Sequence, residues 1–248
     1  MPYVINDNLK INYKSVGHGE PLVMLHPNGH CLKDWYALNY IKQLENHFQL
    51  ILIDSRGFGD SDKPHDASHY HPQLIATDTI AVLDFLGIEK AHCFGYSMGG
   101  RHAFGLMQYY PDRFKSFIIG GAHPYTSNKL LHSYTQLLQQ GLPKLVEVFE
   151  KNFGSFPPRV KNAFLKNDLR ALLAINSLPP MDFTAALANY TKSVCLIVGE
   201  QDPILKYVQQ AQKSKEDVEI NIVPNNNHMQ LFFTAKVITT ILIDFITF

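Results

Sequence analysis

The chain contains few cysteines and no excess of charge of either sign. Its three cysteines are Cys31, Cys93 and Cys195. An odd number, with two of them inside predicted strands, indicates buried thiols in a reducing compartment rather than a disulfide framework. Lys+Arg and Asp+Glu are both 22, so the formal net charge is +0. This balance excludes the basic field that binding to nucleic acid or to a membrane surface requires.

Neither end of the sequence carries a long apolar run. The N-terminal stretch Met1–Lys10 does not contain the apolar segment of a signal peptide. The most apolar tail, Val237–Phe248, is interrupted by Thr239, Thr240 and Asp244 and is too short to span a bilayer. We therefore expect a soluble cytoplasmic protein with no membrane partner.

Short apolar runs alternate with segments of helical periodicity along most of the chain. After an N-terminal hairpin over Tyr3–Tyr13, buried strands are predicted at Leu22–Leu25, Leu50–Ile53, Ala91–Phe94, Phe117–Gly121, Val194–Val198 and Val218–Val223. Helices are predicted at Leu32–Asn46, Gln73–Leu86, Arg101–Tyr110, Ile204–Lys213 and Leu231–Phe245. This α/β alternation predicts a mostly parallel central sheet flanked by helices on both faces.

The alternation stops between residues 123 and 190, where no buried strand is found. Four helices are predicted there, at Asn128–Gln140, Leu142–Asn152, Pro158–Lys166 and Leu169–Ser177. We interpret the segment as a short helical cap inserted after the sixth strand, on the face where strand ends meet and where a lid lies. The predicted division is a core of residues 1–122 and 191–248 and a cap range of residues 123–190.

The stretch Gly95-Tyr96-Ser97-Met98-Gly99-Gly100 lies between a predicted strand and a predicted helix. Strand, Gly-x-Ser-x-Gly and helix form the context of a nucleophile elbow. The glycines let strand and helix approach closely, and the N-terminus of the helix offers unpaired N–H groups to a developing oxyanion. The alternative is a glycine-rich turn whose serine only caps the helix, because a pattern of three fixed residues also arises by chance.

A serine nucleophile needs a base, and the base needs an orienting acid. Asp202 follows one late predicted strand and His228 follows the next, which gives the order Ser97, Asp202, His228. Taken alone, Asp202 is typical of a helix cap before Pro203, and His228 of a loop histidine. Their joint placement at the carboxyl ends of strands favours a catalytic triad. Glu200 is the alternative acid.

These motifs together resemble the α/β-hydrolase superfamily. The chain is similar to the esterase, lactonase and C–C hydrolase branch that carries a helical cap, and the resemblance covers nearly the whole chain. Its further signatures are the Asp54–Ser61 run, Gly199-Glu200-Gln201-Asp202-Pro203 and Asn226-Asn227-His228. The resemblance implies an α/β-hydrolase fold. We interpret the charged Asp54–Ser61 run as loop architecture.

The resemblance also implies an oxyanion hole built from the backbone N–H groups of Met98 and Asn28. The loop reads His26-Pro27-Asn28-Gly29, with proline where the family usually has glycine. Proline has no N–H, but the expected donor is the next residue, Asn28. The family needs no cofactor and no metal, so we interpret the polar loop that holds His65, Asp66, His69 and His71 as solvated. Cys31 is a possible pocket thiol without a base.

We therefore predict a serine hydrolase that cleaves a small carboxylic ester or lactone. The partner is the small-molecule substrate, and the protein is a monomer or a homodimer. Candidate pocket residues are Trp35, Phe58, Tyr96, Tyr125 and Phe183. A C–C bond hydrolase, a peroxidative activity and a slow-turnover ligand-binding or receptor protein remain alternatives. A dehalogenase or an epoxide hydrolase is disfavoured, since those enzymes carry an aspartate at the elbow.

Overall fold

An eight-stranded sheet forms the centre of the fold. The computed structural model describes residues 2–126 and 128–247, so residues 1, 127 and 248 of the predicted core and cap ranges lie outside it. The strands are β1 Tyr3–Asn6, β2 Leu9–Val16, β3 Glu20–Leu25, β4 Phe48–Ile53, β5 Ala91–Tyr96, β6 Phe114–Gly120, β7 Val194–Gly199 and β8 Glu219–Val223. Every predicted strand is present, with bounds that move by a few residues.

The sheet is mostly parallel, as the alternation predicts. Its strand order is β1-β2-β4-β3-β5-β6-β7-β8. The first hairpin pairs antiparallel, and β2 runs antiparallel to β4. All other neighbours are parallel. The carboxyl ends of β3 to β8 therefore meet along one edge, and the groups that follow these strands are brought together there.

Helices cover both faces of this sheet. They are α1 Leu32–Ala37, α2 Tyr40–Leu44, α3 Pro72–Phe85, α4 Met98–Tyr109, α5 Asn128–Leu138, α6 Leu142–Phe153, α7 Pro158–Phe164, α8 Leu169–Ile175, α9 Thr184–Asn189, α10 Leu205–Gln210, α11 His228–Phe233 and α12 Ala235–Thr247. Successive strand residues point to opposite faces. In β5, Cys93 belongs to the core under α3 and α4, whereas Phe94 belongs to the core under α1, α2 and α12.

Three helix predictions are corrected by the structure. The single helix predicted over Leu32–Asn46 is two short helices, because Asn39 takes a left-handed conformation with φ 64° between them. The predicted C-terminal helix is likewise divided at Thr234, with φ −95° and ψ 63°, so that α11 and α12 are separate. The fifth helix of the cap range, α9, has no counterpart in the prediction.

Helices α6 and α7 of the cap range contact elements at the carboxyl edge of the sheet, whereas α9 packs on α4. They follow β6, the sixth strand, and precede β7. Helix α7 contacts α1, which follows β3, and α6 contacts α11, which follows β8. The division into a core and a cap as separate domains stays a prediction. Within the described residues, none of the helices is long and apolar enough to cross a membrane.

Candidate active site

Four of the predicted site residues stand just beyond the carboxyl ends of parallel strands. Asn28 follows β3, Ser97 follows β5, Asp202 follows β7 and His228 follows β8. Because these strands are parallel neighbours, their loops share one edge of the sheet. The sequence order of the four residues therefore becomes a spatial cluster.

Ser97 is the turn residue between β5 and α4. Its φ of 54° and ψ of −110° are strained for a residue with a side chain. The backbone is held there by the Ser97 N–H, which donates to Gly120 O at 2.8 Å. A Cβ at Gly95 would lie 2.2 Å from Gly99 O, and one at Gly99 would lie 2.0 Å from Leu25 O. The two glycines are thus required for strand and helix to meet at this turn.

A continuous chain of hydrogen bonds joins Ser97 to His228 and Asp202. His228 Nδ1 lies 2.7 Å from Asp202 Oδ2, and His228 Nε2 lies 3.0 Å from Ser97 Oγ. An ionised carboxylate only accepts hydrogen bonds, so Nδ1 is the protonated nitrogen and Nε2 accepts from the serine hydroxyl. Asp202 is buried, and its other oxygen accepts from Ile204 N at 3.1 Å. This arrangement leaves the histidine ready to take the serine proton.

Local structure fixes the imidazole ring of His228. Asn227 caps α11, since its side chain accepts from the N–H groups of Met229 and Gln230. The Tyr96 hydroxyl donates to the carbonyl of His228 at 2.7 Å. A Cβ at Gly121 would lie 2.9 Å from His228 Cε1, so the strand end leaves room only for a glycine there.

The loop after β3 presents a backbone N–H beside the elbow. Pro27 O accepts from His26 Nδ1 at 2.8 Å and from His30 N at 3.2 Å, which closes the loop into a tight turn. His26 Nε2 in turn accepts from Ser55 N at 3.1 Å, and burial lowers the pKa of His26. Among the described residues, neither the Asn28 N–H nor the Met98 N–H donates a hydrogen bond. Backbone N–H groups without a partner are what an oxyanion hole requires, so the assignment of these two donors stays a prediction.

The side chain of Asn28 is oriented by Asn176. Asn176 Nδ2 donates to the helix carbonyl of Leu172 at 2.7 Å, which turns Asn176 Oδ1 towards Asn28. Asn28 Nδ2 then donates to that oxygen at 3.4 Å. Asn28 Oδ1 is buried without a partner among the described residues.

A cavity of about 520 Å³ lies above Ser97. It is lined by the elbow, the loop after β3, α11 and helices α5 to α8, and its surface is largely apolar. The apolar lining includes Met98, Leu137, Phe149, Phe153, Phe164 and Phe232. Such a size and lining fit a small organic ligand.

Of the five predicted pocket residues, two line the cavity and three lie in the core instead. Tyr96 and Tyr125 line the cavity. Trp35 instead packs on Tyr40, Phe94 and Phe232 between the sheet and its helices. Phe58 packs edge-on against His26, and Phe183 stacks on Phe104. These three rings are almost fully buried in the core, and none lines the cavity.

Glu200, the alternative acid, points away from the site. It is exposed, and its carboxylate accepts from Asn225 N at 3.0 Å. Glu200 therefore connects the loops after β7 and β8, whereas Asp202 contacts His228.

The charged run after β4 supports the loops beneath the site. Asp54 accepts from Leu32 N at 2.7 Å and from Asp60 N at 2.8 Å. Arg56 is buried and donates a hydrogen bond to each carboxylate oxygen of Asp78 at 2.7 Å, which forms a bidentate ion pair. These contacts agree with the interpretation of the run as architecture.

Three side chains of the polar loop have structural partners. His65 lies 2.9 Å from Asp168, and Asp66 and His71 each cap a helix. Within the described residues, no group of three or more His, Cys, Asp or Glu is placed to hold a metal ion. Burial, together with the nearby carboxylates, raises the pKa of the Cys31 thiol to about 12, so it is not a thiolate at neutral pH.

Three cavity residues escaped the sequence analysis. Arg101 donates to the carbonyls of His123 and Tyr125 and to that of Met181, which lie at the two ends of the cap range. His123 is buried, which lowers its pKa to about 4 and keeps the ring neutral. Tyr134, on α5, has a buried hydroxyl without a partner among the described residues. No local sequence signal marks Arg101, because its partners lie 22, 24 and 80 residues away in the chain.

Comparison with known proteins gives a family match and distant relatives. The sequence model of the alpha/beta hydrolase fold family matches residues 20–182. The chain is 25% identical over 270 aligned residues to a 2-hydroxy-6-oxononadienedioate/2-hydroxy-6-oxononatrienedioate hydrolase of Comamonas testosteroni, and the match covers 96% of this chain and 92% of that one. It is 26% identical over 125 residues to epoxide hydrolase 3 of Mus musculus, covering 50% of this chain but only 34% of that relative's length.

A solved structure extends the likeness to the whole fold. The enol-lactonase from Burkholderia xenovorans LB400 superposes with a TM-score of 0.85, and the match covers 100% of both chains. The sequence identity is 18%, so this likeness concerns the fold.

Proposed function

The chain belongs to the alpha/beta hydrolase fold family, and we propose that it is a serine hydrolase that cleaves a small carboxylic ester or lactone through an acyl-enzyme on Ser97. The observation that carries the proposal is the hydrogen-bond chain from Ser97 through His228 to Asp202, at 3.0 and 2.7 Å. In this arrangement the hydroxyl has a base, His228, whose imidazole is oriented by Asp202. An ordinary capping serine has no such base.

Acylation begins with proton transfer from Ser97 to His228 Nε2. The serine oxygen then bonds to the carbonyl carbon, and the carbonyl π electrons move to its oxygen. Asp202 holds the tautomer that leaves Nε2 free and stabilises the imidazolium that forms. When the tetrahedral intermediate collapses, His228 returns the proton to the departing alkoxide. The alcohol leaves, or stays attached to the acyl group if the substrate is a lactone.

The oxyanion is stabilised by the backbone N–H groups of Asn28 and Met98. The close approach of Gly99 to Leu25 O brings the loop after β3 against the start of α4, which supports a pair of donors acting on one oxygen. Donors of this kind act on charge that develops only during the reaction, and each contributes roughly 10²–10³ in kcat.

Water completes the cycle. His228 takes a proton from a water molecule, the hydroxide oxygen bonds to the acyl carbon, and the serine oxygen leaves with that proton. The product is a carboxylic acid, and Ser97 is restored. No step requires a cofactor.

A C–C bond hydrolase is the second candidate. The Comamonas testosteroni relative, 92% of which is covered by the match to this chain, carries the name of such an enzyme. The same three residues can serve attack on a ketone instead of an ester. Epoxide opening is not favoured, since the elbow holds Ser97 where a carboxylate nucleophile would be needed. A slow-turnover ligand-binding protein is distinguished from both by its rate.

Hydrolysis of p-nitrophenyl esters of rising acyl length tests the proposal. We expect multiple turnovers by the wild type, a preference for short acyl chains that fit the cavity, and loss of at least roughly 10³-fold in Ser97→Ala. The 2-hydroxy-6-oxononadienedioate named for the relative is assayed beside them. Ester turnover that persists in Ser97→Ala contradicts the proposal. A dienedioate cleaved much faster than every ester, again through Ser97, replaces it with the second candidate.

A further inference from the structure

The turn that carries the proposed oxyanion donor Asn28 is in contact with the cap range. Gly29, the next residue, takes a φ of 78°. A Cβ at this position would lie 2.0 Å from Cε2 of Phe164, so the ring of this α7 residue lies directly on the turn. Asn167, three residues after Phe164, donates from Nδ2 to the carbonyl of Gly29 at 2.6 Å. Two side chains of the cap range therefore hold one residue of the loop after β3.

The amide of Asn167 fits this place in one orientation only. Its Nδ2 also donates to the carbonyl of Phe164 at 2.8 Å, at the end of α7. The amide nitrogen carries two hydrogens, and here one serves the cap helix and the other serves the turn. The reversed orientation would place Oδ1 against two carbonyl oxygens with no donor between them. Asn167 thus joins the end of α7 to Gly29 O.

Two peptide units in series connect this contact to the Asn28 N–H. In a trans peptide unit the C=O and N–H groups point in opposite directions. The unit that carries Gly29 O also carries the N–H of His30, which donates to Pro27 O at 3.2 Å. The unit that carries Pro27 O also carries the N–H of Asn28. A chain of hydrogen bonds therefore runs from Asn167 through the turn to the peptide unit of the Asn28 N–H.

The core and the cap range hold different ends of this turn. Pro27 O accepts a second hydrogen bond, from His26 Nδ1 of the core, at 2.8 Å. Gly29 O accepts from Asn167 alone among the described residues. Glycine takes either sign of φ readily, so its own conformational preference does not fix the turn. Without the Asn167 donor, the peptide unit that follows Gly29 can rotate, and its bond to Pro27 O weakens.

The direction of the Asn28 N–H matters for the reaction, a step that rests on the proposed function. An oxyanion donor is effective because its direction is fixed before the negative charge develops. Hydrogen bonds in series also polarise one another, which strengthens a donor at the end of the chain. Loss of the Asn167 contact therefore weakens the interaction with the oxyanion and leaves the binding of the uncharged carbonyl almost unchanged.

We propose that Asn167 is a positioning residue for the oxyanion hole, and that it sets the direction of the Asn28 N–H from the cap range. Asn167 does not line the cavity, so it acts through the turn and not by contact with the substrate. The cap range thus does more than enclose the cavity. The oxyanion hole is complete only while the end of α7 lies on the turn.

The variant Asn167→Leu tests this role, because leucine keeps the branched shape of asparagine and removes both donors. We expect kcat for a p-nitrophenyl ester to fall by roughly 10–100-fold, a part of what one oxyanion donor contributes, with KM within about twofold of the wild type. Asn162→Leu, at an exposed asparagine of α7, is the matched control and should keep both constants within about twofold. Asn167→Asp, which replaces the amide nitrogen with oxygen at the same size, is a second variant with the same expected loss.

Two ketones of matched chain length separate positioning from damage to the cavity. With a trifluoromethyl ketone, the Ser97 oxygen bonds to the carbonyl carbon, the serine proton passes to His228, and the π electrons move to an oxygen that occupies the oxyanion hole. The matching methyl ketone binds without this addition. In Asn167→Leu, the inhibition constant of the trifluoromethyl ketone should rise by about the factor by which kcat falls, and that of the methyl ketone should stay within about twofold.

The outcomes separate this proposal from the proposed function on which it rests. An unchanged kcat in both Asn167 variants, a lower kcat with unchanged affinity for the trifluoromethyl ketone, or equal weakening of both ketones overturns the positioning role and leaves the serine hydrolase intact. A folded wild type that neither hydrolyses the ester nor binds the trifluoromethyl ketone more tightly than the methyl ketone contradicts the proposed function itself.

Discussion

Asp202 and Glu200 stand two residues apart after β7, and their surroundings separate them. Asp202 is about 4% exposed and lies 2.7 Å from His228, whereas Glu200 is exposed and binds a loop N–H. The position of a carboxylate relative to the imidazole, and not its place in a motif, decides whether it can orient the base.

We predict that Asp202→Asn lowers kcat for ester hydrolysis by roughly 10³–10⁴-fold, because an amide favours the wrong histidine tautomer. Glu200→Gln is the matched control, two residues away in the same loop. It should keep kcat within about twofold, since only an exposed backbone contact is weakened. Steady-state kinetics on one p-nitrophenyl ester measures both. Equal losses in the two variants would contradict the assignment of the acid.

At the scale of elements, the elbow depends on how closely α4 approaches the end of β3. A Cβ at Gly99 would lie 2.0 Å from Leu25 O, which is backbone and cannot move aside as a side chain would. Gly105, two turns further along the same helix, meets nothing closer than 3.6 Å. Glycine is therefore sterically required at position 99, whereas position 105 has room for a Cβ.

We predict that Gly99→Ala lowers the free energy of unfolding by roughly 2 kcal/mol or more and reduces kcat, because α4 must shift away from the loop. Gly105→Ala should raise the free energy of unfolding by about 0.5–1 kcal/mol, the usual gain in a helix interior, and leave kcat unchanged. Urea denaturation measures the free energy of unfolding of each variant, and steady-state kinetics measures its kcat. A Gly99→Ala protein as stable and active as the wild type would refute the close approach.

Arg101 connects the elbow helix to both ends of the cap range. Its guanidinium donates to carbonyls of His123 and Tyr125 on one side and of Met181 on the other. Arg113 makes a comparable set of contacts outside the cap range, with Asp84 and the carbonyls of Ile88 and Glu89. It therefore serves as a control for the loss of an arginine.

We predict that Arg101→Met loosens the cap range and speeds its cleavage in limited proteolysis by roughly tenfold, since three carbonyls lose their donor. Fragments mapped by mass spectrometry should begin or end between residues 123 and 183. Arg113→Met lowers stability without that regional effect. Cleavage sites spread evenly in both variants would show that Arg101 does not secure the cap range.

On the scale of the whole molecule, the sequence predicted the sheet and the triad more completely than the cavity. Apolar runs and their alternation with helices reflect burial on both faces of strands, so β3 to β8 were found. Ser97, Asp202 and His228 were predicted as a triad because each comes within a few residues of a strand end, and the structure joins them in one hydrogen-bond chain. Local sequence signals are strong at such points.

Features set by tertiary packing were missed or misplaced. The turn at Asn39 interrupts a run with continuous helical spacing, and nothing in that spacing marks the break. Trp35, Phe58 and Phe183 have the composition of pocket residues, but whether an aromatic ring faces a cavity or a core depends on neighbours distant in sequence. Tyr134 escaped notice for the same reason.

Two histidines with lowered pKa values in the folded protein, the half-buried His102 and the buried His123, make the stability of the whole chain depend on pH. Burial, aided by His26 and Arg101, lowers the pKa of His102 to about 3, and burial lowers that of His123 to about 4. The unfolded chain protonates both near pH 6.5, whereas the folded protein keeps them neutral to lower pH. The unfolded state thus binds more protons between about pH 6 and 4, and stability falls as the pH falls through this window.

We predict that lowering the pH from 7 to 5 reduces the free energy of unfolding by roughly 2 kcal/mol for each of these histidines. His102→Gln should remove its share of the change. Urea unfolding at the two pH values provides the numbers. A pH dependence unaltered by His102→Gln would mean that this ring is protonated as readily in the folded protein as in the unfolded chain.

The most direct measurement of the central claim is labelling with a fluorophosphonate, followed by intact-mass analysis and peptide mapping. We predict one adduct per chain of the wild type, located on Ser97, none in Ser97→Ala, and labelling slowed by at least roughly 10³-fold in His228→Ala. No adduct on the folded wild type, an adduct on another residue, or a rate that does not depend on His228 would contradict an activated serine at this elbow.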